Sequence, residues 1–144
     1  SLKKNKKMIL RNPNSVRPWQ HVLEPLSGYL LLAQNIHNQK IKKLEQHWNF
    51  GPSISSCKSV KYLTQYLSKR LKLKILLERK KINLFKPETS ILRLSNFKSK
   101  KFLNWHPKWS INKSLDKILD WHENVRKRNT TQVCYDQIRE YLGK

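Results

Sequence analysis

Residues Arg11 to Gln34 read RNPNSVRPWQHVLEPLSGYLLLAQ. A short apolar run, Met8 to Leu10, precedes them and reads as a strand. Asn12-Pro13-Asn14 then marks a turn. Beyond it, Val22, Leu26, Tyr29, Leu30, Ala33 and Ile36 recur at the spacing of one helical face. This is the stripe of an amphipathic helix. Pro25 fits only in a first turn, where its missing N–H is not needed, so the helix should begin near Leu23 or Glu24.

Working outward, Trp48-Asn49-Phe50 halts at Gly51-Pro52 and reads as a strand end entering a turn. Ser55 or Ser56 is a candidate cap for a second helix, with Val60, Leu63, Leu67 and Leu71 as its stripe. From Lys72 the period changes to two, predicting a strand to about Leu77 whose lysines form a solvated face or a protected edge. A further strand is expected at Ile91 to Leu94 and a short helix at Asn96 to Leu103. Trp105-His106-Pro107-Lys108-Trp109 breaks that helix, and Ser110 caps the next, which carries Ile111, Leu115, Ile118, Leu119 and His122 on one face. Thr130 or Thr131 opens a last helix with Val133, Ile138, Tyr141 and Leu142. The pattern is a mixed α/β region, helix-rich with short strands. It lacks the regular strand–helix alternation of a complete doubly wound sheet.

The chain has 144 residues, room for one domain, and a net charge of +22. Leu, Ile, Val and Phe together supply 40 of the 144 residues, enough to form a core. The longest apolar stretch, Tyr29 to Ala33, is far short of the roughly 18 residues a membrane span requires. Cys57 and Cys134 stand apart with no metal-ligand spacing, which speaks against a zinc site or a disulfide framework and for a reduced, cytoplasmic protein.

A charge of this size suggests a polyanion partner. The bias is lopsided, however: 23 Lys against 8 Arg, with 12 Asn, 10 Ile and a single Ala. Lys, Asn and Ile have A/T-rich codons, so drift in base composition accounts for much of it. The lysines are scattered, and no aromatic stacking motif lies among them.

Self-sufficient chemistry is missing. Glycine occurs only at 28, 51 and 143, so no phosphate-cradling loop can be written. There is no GxSxG, no evident carboxylate pair and no Tyr followed four residues later by Lys. The five His residues (21, 37, 47, 106 and 122) are dispersed, and surface or core roles are their ordinary fate.

Three stretches together, RNPNSVRPWQHVLEPLSGYLLLAQ at 11–34, WNFGP at 48–52 and LNWHPKWSINKSLDKILDWH at 103–122, resemble the CDP-glucose 4,6-dehydratases of the extended short-chain dehydrogenase/reductase superfamily. The resemblance covers nearly the whole chain, in order. It implies that residues 1–144 are a single C-terminal sugar-nucleotide-binding region of a larger dehydratase, without the NAD-binding Rossmann core. In that family NAD oxidises the sugar at C4, water is lost across C5 and C6, and hydride returns to C6. The product, CDP-4-keto-6-deoxyglucose, feeds surface-polysaccharide deoxysugar synthesis. The resemblance places the catalytic residues upstream of Ser1 and leaves no NAD-binding residue on this chain. The chain starts at Ser1 and has Met8 as its only methionine, the expectation for a fragment or a broken gene.

The resemblance also implies three substrate-binding residues. Arg17 matches the family's pyrophosphate-binding Arg, for which a guanidinium fork is suited. Asn49 matches the Asn of the aromatic-Asn-x-Gly turn, and Glu88 an acid that accepts from ribose hydroxyls. Trp19, Trp105 and Trp109 are read as packing residues. The chain departs from the pattern at Pro87 and Ile91, where the family usually has His and Tyr, and at Asn104, where it commonly has Gly. CDP-glucose is the expected ligand once the Rossmann part is present, and a homodimer is an arrangement open to the full-length form. Two other readings stand beside this one: a non-catalytic remnant of a decayed gene, and a basic nucleic-acid-binding module whose affinity would fall steeply with salt.

Overall fold

The structure is a computed structural model describing residues 8–10, 12–41, 47–72, 75–77 and 89–144. The chain divides into two compact units, each assembled from two separate stretches of sequence: residues 1–18 with 57–93, and residues 19–56 with 94–144. The first boundary falls between Pro18 and Trp19, inside the RPWQ stretch.

In the first unit, strand β1 (Met8–Leu10) and strand β2 (Val16–Pro18) precede strand β3 (Cys57–Ser59), helix α2 (Val60–Leu71) and strand β4 (Ile75–Leu77); helix α1 (Leu23–His37) belongs to the other unit. β1 pairs in parallel with β4, Met8 opposite Ile75, and β2 pairs antiparallel with β3, Val16 opposite Ser59. Pro18 is the last residue of β2, and a strand's alternate N–H groups point away from its partner, so a proline at such a position costs no bond to β3. Ser59, rather than Ser55 or Ser56, caps α2 by accepting from the Tyr62 N–H at 3.2 Å. The two earlier serines lie in a 3₁₀ turn, Ile54–Ser56, and β3 intervenes. Lys72 is a left-handed residue closing α2, residues 73–74 lie outside the described residues, and β4 occupies the rest of the predicted strand. The strand expected at 91–94 is a single bridge between Ile91 and Val16. β2 and β3 escaped the sequence reading because three-residue strands carry too little periodicity to register.

The second unit holds helix α1 (Leu23–His37), helix α3 (Phe97–Leu103), helix α4 (Ile111–Asn124) and helix α5 (Thr130–Leu142). α1 begins where Pro25 requires. Ser110 caps α4, accepting from the Lys113 N–H, and Asn129 caps α5 through the N–H groups of Thr131 and Gln132. Asn104 takes the left-handed conformation (φ 52°) that ends α3, so its substitution for Gly is accommodated. Phe50, Leu103 and Trp105 form a core cluster with Leu31, Leu32, Ile41 and Trp48 packed on it. Trp48-Asn49-Phe50 does this as irregular chain, with no strand there. On the α4–α5 pair, Ile111, Leu115, Leu119 and Val133 are buried, while His122 is exposed.

The apolar stripe read from the sequence lies on α1, and much of it is exposed: Val22, Leu26, Tyr29 and Leu30 are 61, 44, 56 and 73 % exposed. The buried positions of the helix are Glu24 and Gly28. A Cβ on Gly28 would run into the Phe50 ring, so the missing side chain lets α1 approach that aromatic closely. Periodicity identified the helix and its apolar side, and left open which side is buried.

Candidate functional site

The most heavily bonded polar group of the second unit is Glu24, whose accessibility is zero. Its Oε1 accepts the Trp109 backbone N–H at 2.7 Å and the Lys108 N–H at 3.1 Å. Oε2 accepts the Lys108 N–H at 3.0 Å and the Tyr141 hydroxyl at 2.8 Å. One turn on, Ser27 Oγ donates to the Glu24 carbonyl at 2.7 Å, accepts Trp105 Nε1 at 2.9 Å and lies 3.0 Å from the Tyr141 hydroxyl. Glu24 and Ser27 of α1, the Trp105–Trp109 turn and Tyr141 of α5 thus form one connected network. Because a buried carboxylate must be compensated by donors, the network fixes three elements against one another.

Aromatic rings close it. Trp109 meets the His21 ring edge-on at 4.9 Å and the Tyr141 ring at 5.1 Å. His21 Nδ1 accepts the Leu23 N–H, serving an orphan donor at the start of α1. Burial pushes the His21 imidazole below its usual pKa, with Glu24 partly opposing and Lys117 adding to the effect. Burial, with Ser27 opposing and Glu24 assisting, raises the Tyr141 phenol from 10.0 to about 12. Each group is occupied in holding a neighbour. The network is an anchor rather than acid–base machinery.

The residues implicated by resemblance lie elsewhere. Arg17, in β2 of the first unit, donates from Nη1 to the carbonyls of Val16 (2.9 Å) and Thr89 (3.0 Å). Asn49, in the second unit, is exposed, and its carbonyl accepts Ser99 Oγ at 2.8 Å. Glu88 lies outside the described residues. Trp105 is buried and Trp109 partly so, in the packing roles expected of them.

Glu24, Ser27 and Tyr141 were not singled out from sequence. The available signal was a glutamate inside an otherwise apolar helical stretch, a residue type almost never fully buried without partners. Among the described residues no cluster of three or more His, Cys, Asp or Glu could hold a metal ion, and no helix is long and apolar enough to cross a membrane.

The three glycines do not fit a dinucleotide. Gly28 lies inside α1 against Phe50, Gly51 packs on Leu94, and Gly143 ends α5 at φ 75°. None opens a helix after a strand, the context in which backbone N–H groups cradle a pyrophosphate.

The helix-rich scaffold with short strands matches in fold the C-terminal portion of an extended short-chain dehydrogenase/reductase. The chain is 34 % identical to the CDP-glucose 4,6-dehydratase of Salmonella typhimurium, over 99 % of its own length. That match bears out the resemblance read from the three stretches. The chain spans 40 % of the length of this relative. No protein-family profile matches it. Among solved structures it resembles RMD from Pseudomonas aeruginosa, determined in complex with NADPH. The TM-score is 0.60 at 20 % identity, covering 79 % of this chain and 35 % of that one. This second likeness concerns the fold.

Proposed function

We propose that this chain is the sugar-nucleotide-binding portion of a dehydratase acting on CDP-glucose, with Arg17 and Asn49 as donors to the pyrophosphate and Glu88 as an acceptor from the ribose. The observation that supports this most strongly is the alignment to a CDP-glucose 4,6-dehydratase along 99 % of the chain. A second is the setting of Arg17, whose Nη1 donates to the carbonyls of Val16 and Thr89. A guanidinium fixed in this way loses less rotamer freedom when it takes up a phosphate.

In this reading the reaction converts CDP-glucose to CDP-4-keto-6-deoxyglucose in the cytoplasm, for surface polysaccharide. NAD and the catalytic residues belong to a part of the enzyme not represented in these 144 residues. This chain's contribution is binding and orientation of the nucleotide. In the enzyme containing this chain, Arg17→Ala raises the dissociation constant for CDP-glucose about 10- to 150-fold, equivalent to about 1.5–3 kcal/mol for a lost charge-assisted bond. Isothermal titration calorimetry measures it. Unchanged affinity in that variant rejects the assignment, and absence of CDP-glucose binding to the unaltered enzyme favours the decayed remnant.

A further inference from the structure

Residues 47–52, which carry Asn49, are neither helix nor strand, so their carbonyls have no ladder or helical turn to join. Side chains take them up instead. Lys98 Nζ donates to the His47 carbonyl at 3.1 Å, Ser99 Oγ to that of Asn49 at 2.8 Å and Gln20 Nε2 to that of Phe50 at 2.8 Å. Asn96 Nδ2 donates to the Gly51 carbonyl at 2.9 Å and reaches that of Pro52 at 3.4 Å. The Lys98 ammonium also lies over the Trp48 ring, 4.5 Å from its centroid. All of these residues belong to the second unit.

Two of the donors forgo another bond to make these. Asn96 occupies the capping position of α3, where an Asn side chain ordinarily accepts from the first turn, yet it makes no capping bond. Its amide is turned to Gly51 and Pro52 instead. Gln20 keeps Nε2 on Phe50 while its Oε1 is buried without a partner, the only such side-chain nitrogen or oxygen among the described residues. An uncapped helix and an unpaired buried acceptor each lower stability. What they have in common is that both serve to hold the 47–52 segment.

Asn49 sits at the middle of this clamp. Ser99 is fully buried and donates to the Asn49 carbonyl, whereas the Asn49 side chain is exposed. Two residues on, a Cβ at Gly51 would collide with Leu94, so the main chain lies hard against the residues that lead into α3. The backbone of Asn49 is thus held while its amide stays open to solvent.

We propose that Gln20, Asn96 and Ser99 are positioning residues for Asn49, fixing the main chain of 47–52 so that the Asn49 amide is set in advance for a phosphate oxygen. A donor carried on rigid chain loses less freedom when its ligand arrives. The proposal rests on the reading of Asn49 as a donor to the pyrophosphate.

A double-mutant cycle in the enzyme containing this chain tests it, with CDP-glucose affinity read by isothermal titration calorimetry. Ser99→Ala removes one oxygen and suits a helix, and it is expected to raise the dissociation constant about five-fold. Asn96→Asp, which can cap α3 but cannot donate to Gly51, should weaken binding by a similar factor. Asn49→Ala should weaken it at least as much. Ser99→Ala added to Asn49→Ala should weaken it no further, because its effect passes through the missing amide. An unchanged constant in either Ser99→Ala or Asn96→Asp overturns the proposal and leaves Asn49 in its role. So does a loss that persists in full on the Asn49→Ala background, which a general loosening of the fold would give. An unchanged constant in Asn49→Ala rejects Asn49 as a donor, and the positioning role with it.

Discussion

The two faces of α1 reverse the usual arrangement of an amphipathic helix. Its inner face presents Glu24, Ser27 and Gly28, two polar side chains and a bare backbone, while its outer face presents Val22, Leu26, Tyr29 and Leu30. Apolar burial tolerates many partners, whereas a carboxylate aimed at two successive backbone N–H groups tolerates one geometry. The inner face therefore specifies where the helix sits, and the outer face is left to provide area.

The sharpest way to break this contrast is to remove the carboxylate. Glu24→Ala leaves the Lys108 and Trp109 N–H groups and the Tyr141 hydroxyl without their acceptor, at about 1–3 kcal/mol for each buried group left unsatisfied. A loss of about 3 kcal/mol or more is expected in denaturant unfolding. Gly28→Ala pushes a methyl group into Phe50, an overpacking cost of about 1–3 kcal/mol that exceeds the gain of up to 1 kcal/mol in helix propensity. The same unfolding assay should show net destabilisation.

Tyr141→Phe is smaller, about 1 kcal/mol for its hydrogen bonds, and has a distinct signature. The folded phenol titrates near 12 and the unfolded one near 10, so its contribution is complete below pH 10 and lost as pH rises from 10 to 12. The variant should lack that alkaline decline. His21 acts at the other end of the scale. Its folded pKa is depressed, so its contribution is complete above pH 6.5 and declines as pH falls below that value. A melting-temperature series from pH 7.5 to 5 should show this slope, and His21→Phe should flatten it. Smallest of all, Leu30→Lys on the outer face should leave the stability of the isolated chain within about 0.5 kcal/mol, as for surface substitutions generally.

Helices with strong stop and start signals were legible from the sequence: Pro25 fixed the beginning of α1, Ser110 that of α4, and the Trp105–Trp109 turn the end of α3. Elements defined by pairing alone, such as β2 and β3, were not, because neither VRP nor CKS is an apolar run like those of β1 and β4. The buried face of α1 was not legible for a related reason. Periodicity records that one side of a helix is apolar, but what that side faces depends on material that the pattern does not contain. The Glu24 network was hidden in the same way, since its donors come from residues more than eighty positions downstream. The kinship was legible early, from residues such as Trp105, Trp109 and Ser27 that turn out to hold the scaffold.

Amide hydrogen exchange at Trp109, in the unaltered chain and in Glu24→Ala, tests the central claim most directly. A residue in an irregular turn ordinarily exchanges fast. If Glu24 anchors the turn to α1, the Trp109 amide is strongly protected in the unaltered chain and loses that protection in the variant by at least a hundredfold. Fast exchange in the unaltered chain, or protection indifferent to Glu24, would contradict it.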